Sequence, residues 1–162
     1  MNILIAYAGK TGTTEKCAGI LGQKLKNVTI VNLVHETPDI YKYDLTIVGG
    51  SIRGGRLHSK AREFIKKNKQ GLLTKKAAYY ICCCLVEGYE KYFEDNIDKD
   101  LLENSLIYNS FGGEIDITKQ KGIGKIIVKL INKAIEDGKM ESQNKILHEN
   151  IEEFVNKIEN VR

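Results

Sequence analysis

The chain is poor in the features that mark several protein classes. It holds one proline, Pro38, and it carries no repeat and no low-complexity tract, so proline-rich linkers and arrays are excluded. Its four cysteines do not make a secreted disulfide framework, because three are consecutive, Cys82 to Cys84, and the fourth is distant at Cys17. Reduced thiols are expected. Nor does the triplet have the CxxC spacing that lets two thiolates converge on one ion; successive strand residues point to opposite faces, so these cysteines read as small buried apolar side chains and no metal is expected. The longest apolar run, AAYYICCCLV at 77–86, is too short to span a bilayer. The N-terminus lacks the basic, apolar and small-residue pattern of a signal peptide, so a cytoplasmic protein is expected. Both GxxxxGK[ST] and GxGxxG are missing, which counts against ATP hydrolysis and ordinary dinucleotide binding.

What is present fits one globular domain over residues 1–162, at 42% hydrophobic composition. NILIAY (2–7), VTIVNL (28–33), DLTIVGG (44–50), AAYYICCCLV (77–86) and SLIYNSF (105–111) predict five strands, apolar enough to be buried on both faces. Between and after them, 13–26, 59–69, 89–103, 122–138 and 141–161 have helical spacing or composition. Strand and helix in alternation imply parallel strands joined by crossovers, hence an α/β three-layer doubly wound sheet. In such a sheet ligands bind beyond the carboxyl ends of the strands, at the switch point. The loops at 8–14, 50–58, 84–90 and 111–122 are therefore the candidates.

The first of these, YAGKTGTTEKCA (7–18), leaves a strand through glycines, threonines and a lysine. Gly9 and Gly12 allow a tight turn, Thr11, Thr13 and Thr14 offer hydroxyls, and the next helix aims unpaired amides at the same spot, which together make a phosphate cradle. A plain strand-to-helix turn with a threonine cap is the competing reading. Charge is also uneven. Nine Lys/Arg stand against Glu63 from Arg53 to Lys76, and seven acids stand against Lys91 and Lys99 from Glu87 to Glu103, within a net charge of +4. Either block fits a solvated face, or the basic one a docking or phosphate-attracting surface.

The run IAYAGKTGTTEKCA resembles the FMN-phosphate signature of flavodoxins, with Gly12 and Thr14 in the expected places. It departs from that pattern at Ala6, where a bulkier residue is usual, and at Gly9, where a hydroxyl is usual. The resemblance implies a five-stranded parallel sheet in the order 2-1-3-4-5, FMN as cofactor, and Gly9, Lys10, Thr11, Gly12, Thr13 and Thr14 around its phosphate. The stretch IVGGSIRGGRLHSKAREFIKKNK (47–69) is similar to the menaquinone-dependent protoporphyrinogen dehydrogenases, a branch of that fold in which Ser-Ile-Arg follows the third strand and His-Ser opens a helix. FGGEID (111–116) and 125–139 look like the same branch, which carries a helical insertion after the fifth strand. The branch has aromatics after the arginine, whereas Gly54, Gly55, Arg56 and Leu57 stand here.

A flavin needs donors for its phosphate and a walled slot for its flat ring. Ser51, Ile52, Arg53, Gly54 and Gly55 offer backbone donors for the ring, and Arg53 near N1 and C2 would stabilise the anionic reduced form; an exposed loop charge is its other reading. Cys84, Leu85 and Tyr89 end the fourth strand and begin the next element, with Tyr89 the candidate stacking ring or else an ordinary helix-start tyrosine. Arg53 and His58 are the catalytic candidates, and His35 and His148 carry no visible role. In 122–137, Ile123, Ile126, Ile127, Leu130, Ile131 and Ala134 form an apolar stripe beside Lys125, Lys129 and Lys133. That segment either packs on the sheet or meets an anionic membrane surface, at the inner face of the membrane for a quinone-linked enzyme.

Two functions follow as expectations: an FMN oxidoreductase that takes electrons from a bulky substrate and passes them to quinone, or a single-electron carrier between protein partners. A flavin-free partner protein of the same fold is a third. Shuttle flavodoxins are acidic around the flavin, while this chain has a pI of about 8.8. No motif points to nucleic acid.

Overall fold

The computed structural model describes residues 1–84, 88–114, 133, 136 and 145–161. Its centre is β1 (Ile3–Ala8), whose six residues are all buried. Their alternation sends Leu4, Ala6 and Ala8 to one face of the sheet and Ile3, Ile5 and Tyr7 to the other. Two apolar faces require two covering layers, which is the physical origin of the three-layer fold.

Strand β2 (Val28–Asn32) pairs with one side of β1 and β3 (Leu45–Arg53) with the other, both parallel, with Ile5 opposite Ile30 and Ile47. Beyond β3 lie β5 (Lys76–Cys82) and β6 (Tyr108–Ser110), so the parallel order is β2-β1-β3-β5-β6. That is the expected five-strand order. A sixth strand, β4 (Arg56–Leu57), is added as an antiparallel partner of β3. It falls where the sequence reading expected a loop.

One face is covered by α1 (Thr13–Lys24) and by α6 (His148–Glu159). Helix α6 presents Ile151, Phe154, Val155 and Ile158 at i, i+3, i+4 and i+7, and they meet Cys17, Ala18 and Leu21 of α1 in one cluster. Tyr80 of β5 stacks on Phe111 at 4.7 Å between centroids, and Phe111 meets Phe154 edge-on at 5.1 Å. The other face is covered by α2 (Ser59–Lys67), α3 (Lys69–Thr74), α4 (Tyr89–Glu94) and α5 (Lys99–Glu103), through Phe64, Leu72, Phe93 and Leu101. Glycines let side chains cross β3 closely: a Cβ on Gly49 would lie 2.0 Å from the Tyr80 ring, and one on Gly50 2.4 Å from Leu57.

Several boundaries differ from expectation, each for a local reason. The helix expected over 59–69 breaks at Asn68, whose side chain donates to the Phe64 carbonyl, and restarts as α3. The one expected over 89–103 is two helices joined by a turn through Asn96. The fourth parallel strand, expected to reach residue 86, ends at Cys82, because its neighbour β3 leaves the parallel ladder after Ser51 to pair with β4. The last helix is expected from 141; residues 141–144 lie outside the described residues, and α6 begins at His148, since Ile146 bridges Gly112 and the Leu147 amide donates to the Phe111 carbonyl. The stripe expected over 122–137 lies outside the described residues except for Lys133, which is helical and exposed. Among the described residues no helix is long and apolar enough to cross a membrane.

Candidate functional site at the carboxyl ends of β1 and β3

The loop from Gly9 to Gly12 joins β1 to α1. Gly12 caps the helix in the left-handed region, φ 92° and ψ −18°, and as a glycine it offers no side-chain acceptor to the first-turn amides. The helix therefore presents its N-terminal N–H groups and positive dipole end to whatever lies in front of the loop. A Cβ on Gly12 would meet nothing within 4 Å, so the loop borders open space. At Gly9 a Cβ would lie 2.7 Å from Thr14 Oγ1. The missing hydroxyl at position 9 is thus matched by a threonine occupying its room from position 14.

Thr13 and Thr14 are only 5% and 2% exposed, whereas Thr11 is half-buried and Lys10 exposed. The Thr14 carbonyl accepts a hydrogen bond from the Tyr80 hydroxyl at 3.1 Å, which ties the loop to β5 through the core. Tyr7, at the end of β1, is pushed up in pKa by burial and by its hydrogen bond with Glu15 of α1. Lys16 reaches Glu114 at 2.6 Å, drawing the loop after β6 toward α1.

The second loop is a hairpin. Ile52 pairs with Leu57 and Arg53 with Arg56, leaving Gly54 and Gly55 as a two-residue connection at φ 54° and 75°. Two consecutive left-handed residues are what a type I′ turn demands, and glycine adopts them without strain. Asn96 holds this hairpin. Its Oδ1 accepts from the Leu57 amide at 2.8 Å, and its Nδ2 donates to the carbonyls of Gly55 and Tyr92, each also at 2.8 Å.

The His58 amide donates to the Ser51 carbonyl at 3.0 Å, and His58 Nδ1 caps α2 by accepting from the Lys60 amide at 3.3 Å. Burial lowers the His58 pKa, and the charges of Lys10 and Arg53 lower it further. A neutral ring is consistent with an accepting Nδ1. The same influence places Lys10, from the first loop, and Arg53, from the hairpin, on one electropositive neighbourhood. At the end of β3, Ser51 Oγ is buried with no hydrogen-bond partner among the described residues. An orphaned hydroxyl at a switch point is what a polar ligand would satisfy.

Cys84 is half-buried against Gly113, where a Cβ would lie 2.9 Å from its Sγ, and burial raises its thiol to about 11. Tyr89 packs edge-on to Phe93 at 6.2 Å and 78°, on the flank of the α2–α5 cluster. Leu85 lies outside the described residues. Cys82 and Cys83 do point to opposite clusters, as strand alternation requires. Their partners were not foreseen: Cys82 Sγ lies 3.7 Å from Cys17 Sγ, and Cys83 Sγ 3.6 Å from Ser110 Oγ. Among the described residues no group of three or more His, Cys, Asp or Glu could hold a metal. Tyr80 and Asn96 also escaped the sequence reading. Tyr80 looks like any strand aromatic, and Asn96 sits in a polar turn with no motif around it.

A parallel sheet in this order, with a glycine-capped helix end and a glycine hairpin at its switch point, is a doubly wound α/β domain, whose ligand crevice lies beyond the carboxyl ends of the strands. The model of the Flavodoxin domain family matches residues 4–143, and the chain belongs to that family. The chain is 36% identical over 85 residues to protoporphyrinogen IX dehydrogenase [quinone] of Escherichia coli K12, a match covering 49% of this chain and 47% of the relative. It thus spans about half the length of that relative. Among solved structures it is similar to an oxidised flavodoxin 1 from Bacillus cereus, with a TM-score of 0.54, 16% identity, and 84% and 98% of the two chains covered. A two-electron reduced flavodoxin from Megasphaera elsdenii gives a TM-score of 0.57 at 19% identity, over 67% of this chain and 84% of that one. Both likenesses carry the fold.

Proposed function

We propose that this chain binds FMN and is an oxidoreductase that takes electrons from a bulky reduced substrate of the protoporphyrinogen kind and passes them to a quinone. The observation that carries the cofactor is the α1 N-terminus, where Gly12 supplies no side-chain cap, together with the Ser51 hydroxyl, which has no partner among the described residues and follows the Ala8–Gly50 pair on the neighbouring strand. Those residues fit a phosphate with a polar ring system behind it. Gly9 to Thr14 would hold the phosphate, through the first-turn amides, the Thr11 hydroxyl and the Lys10 ammonium. Ser51 to Gly55 would line the ring, with Cys84, Leu85 and Tyr89 toward its other side. When bound, FMN supplies a two-electron acceptor. The Arg53 guanidinium would favour added negative charge nearby, and Asn96 keeps the hairpin rigid while that charge changes. The reaction is supported by the activity for which the Escherichia coli relative is named and by the Ser51-Ile52-Arg53 and His58-Ser59 stretch.

A second reading, a single-electron carrier, is favoured by one observation. His58, one of the two catalytic candidates, spends Nδ1 on capping α2. Purification tests the cofactor first: a colourless protein whose melt does not move on adding FMN sinks both readings. Anaerobic oxidation of protoporphyrinogen with a menaquinone analogue then separates them. Turnover supports the enzyme; no turnover, with reduction by a ferredoxin-type reductase, supports the carrier. Membrane contact through 122–137 is part of the enzyme reading, and unchanged liposome binding after Ile126, Ile127 and Leu130 are replaced by Asp would remove it.

A further inference from the structure

We infer that the tip of the β3–β4 hairpin and the solvent face of α2 form a docking surface for an acidic protein, a conclusion that rests on the redox reading above for what the partner exchanges. Helix α2 buries Ala61, Phe64 and Ile65 and leaves Lys60, Arg62, Lys66 and Lys67 exposed. At 100° per residue the buried three span one arc, and the four cations occupy the rest in two pairs. Arg62 and Lys66, spaced i and i+4, lie on one edge; Lys60 and Lys67, spaced i and i+7, lie on the other. The helix is capped by His58, whose pKa is lowered in part by the charge of Lys10, and the hairpin before it exposes Arg56. The patch therefore joins six exposed cations, Lys10, Arg56, Lys60, Arg62, Lys66 and Lys67, to the edge of the candidate site.

Among the described residues, two exposed acids interrupt it. Glu63 is bridged by Lys60 at 2.9 Å, and Glu36 shares with Lys60 and Lys67 a cleft of about 330 Å³. At the start of α5, Asp98 and Asp100 are held by Lys69 at 2.6 and 2.9 Å. A surface with this sign attracts acidic partners, raises their encounter rate and repels basic ones.

Apolar content argues for a protein over a lipid surface. Of the exposed large apolar side chains among the described residues, Ile30, Val34, Tyr41 and Tyr108, only Val34 borders the patch, at the mouth of the same cleft. A membrane-surface helix combines its cations with a broad inserted apolar face. Here the apolar face of α2 is spent on the sheet. A polar, charged rim around one exposed aliphatic residue suits a protein interface.

The test uses the full chain, with and without added FMN, against three probes: an acidic [2Fe–2S] ferredoxin, basic cytochrome c, and phosphatidylserine–phosphatidylcholine vesicles. Ferredoxin should bind at about 20 mM salt, where the Debye length is long, and lose affinity at least tenfold at physiological salt. The double variant Arg62→Glu with Lys66→Glu should lose at least about tenfold at low salt. Lys42→Glu with Lys157→Glu changes net charge equally but lies off the patch, and should stay within about twofold. The inference is overturned if ferredoxin does not bind, if both double variants lose affinity alike, or if only the vesicles bind. Because docking is read without the flavin, failure to retain FMN removes the redox reading and leaves the docking result standing.

Discussion

Replacing Asn96 by alanine removes three side-chain hydrogen bonds at once, all at 2.8 Å: those to the Leu57 amide and to the Gly55 and Tyr92 carbonyls. A neutral hydrogen bond contributes about 1 kcal/mol net, giving about 3 kcal/mol for the set. The side chain is part-buried and water can serve some freed groups, so the expected loss is about 2 kcal/mol. In urea, with a slope of about 2 kcal/mol per molar, the unfolding midpoint should fall by about 1 M. Asn96→Asp keeps an acceptor for the Leu57 amide but sets a carboxylate against two carbonyls, so it should be no better than alanine. The local signature is hydrogen exchange at the Leu57 amide, which should speed up at least tenfold in both variants because its acceptor or its hairpin is loosened. A midpoint shift under about 0.25 M, with Leu57 exchange unchanged, would refute the role given to this side chain.

Gly49→Ala puts a Cβ 2.0 Å from the ring of Tyr80, which is stacked on Phe111 and bonded to the Thr14 carbonyl and so has little room to yield. A loss of about 3 kcal/mol is expected, lowering the melt by roughly 6–12 °C; a change within about 2 °C contradicts the packing argument. Gly12→Val meets open space but must adopt φ 92°, so strain of about 1–2 kcal/mol should disorder the loop and abolish flavin retention after gel filtration. Retention equal to the parent would count against the loop as phosphate site. The pH dependence follows from Cys84, raised from 9.0 to about 11 in the folded chain. Below pH 9 both states keep the proton; above it the unfolded chain loses it first, so stability falls as pH climbs toward 11. Cys84→Ser should flatten that decline in urea titrations at fixed pH, and an unchanged slope would show that other thiols and tyrosines carry it.

The alternation of near-continuous apolar strands with helical segments made the parallel three-layer sheet legible, since a strand apolar on both faces has to be covered twice. That residues 9–12 leave β1 as a tight loop into α1 was legible for a similarly local reason: Gly9 and Gly12 between a buried strand and a helix mark a turn. The β4 hairpin was not. Gly54 and Gly55 are a turn signal, but only two paired residues flank them, too few to show a strand period. Asn96 was invisible because its partners Gly55 and Leu57 are about forty residues away, and a hydrogen bond at that separation leaves no mark in local pattern.

By itself, then, the sequence determined the element types, their order and the first loop, all of which follow from burial and backbone preference within one stretch of chain. Only the tertiary structure decided that Thr14 fills the room at Gly9, that Tyr80 fastens the loop from beneath, that Cys17 meets Cys82, and that Lys10 and Arg53 bear on one histidine. Each of these is a contact between distant segments, set by how the layers close on one another.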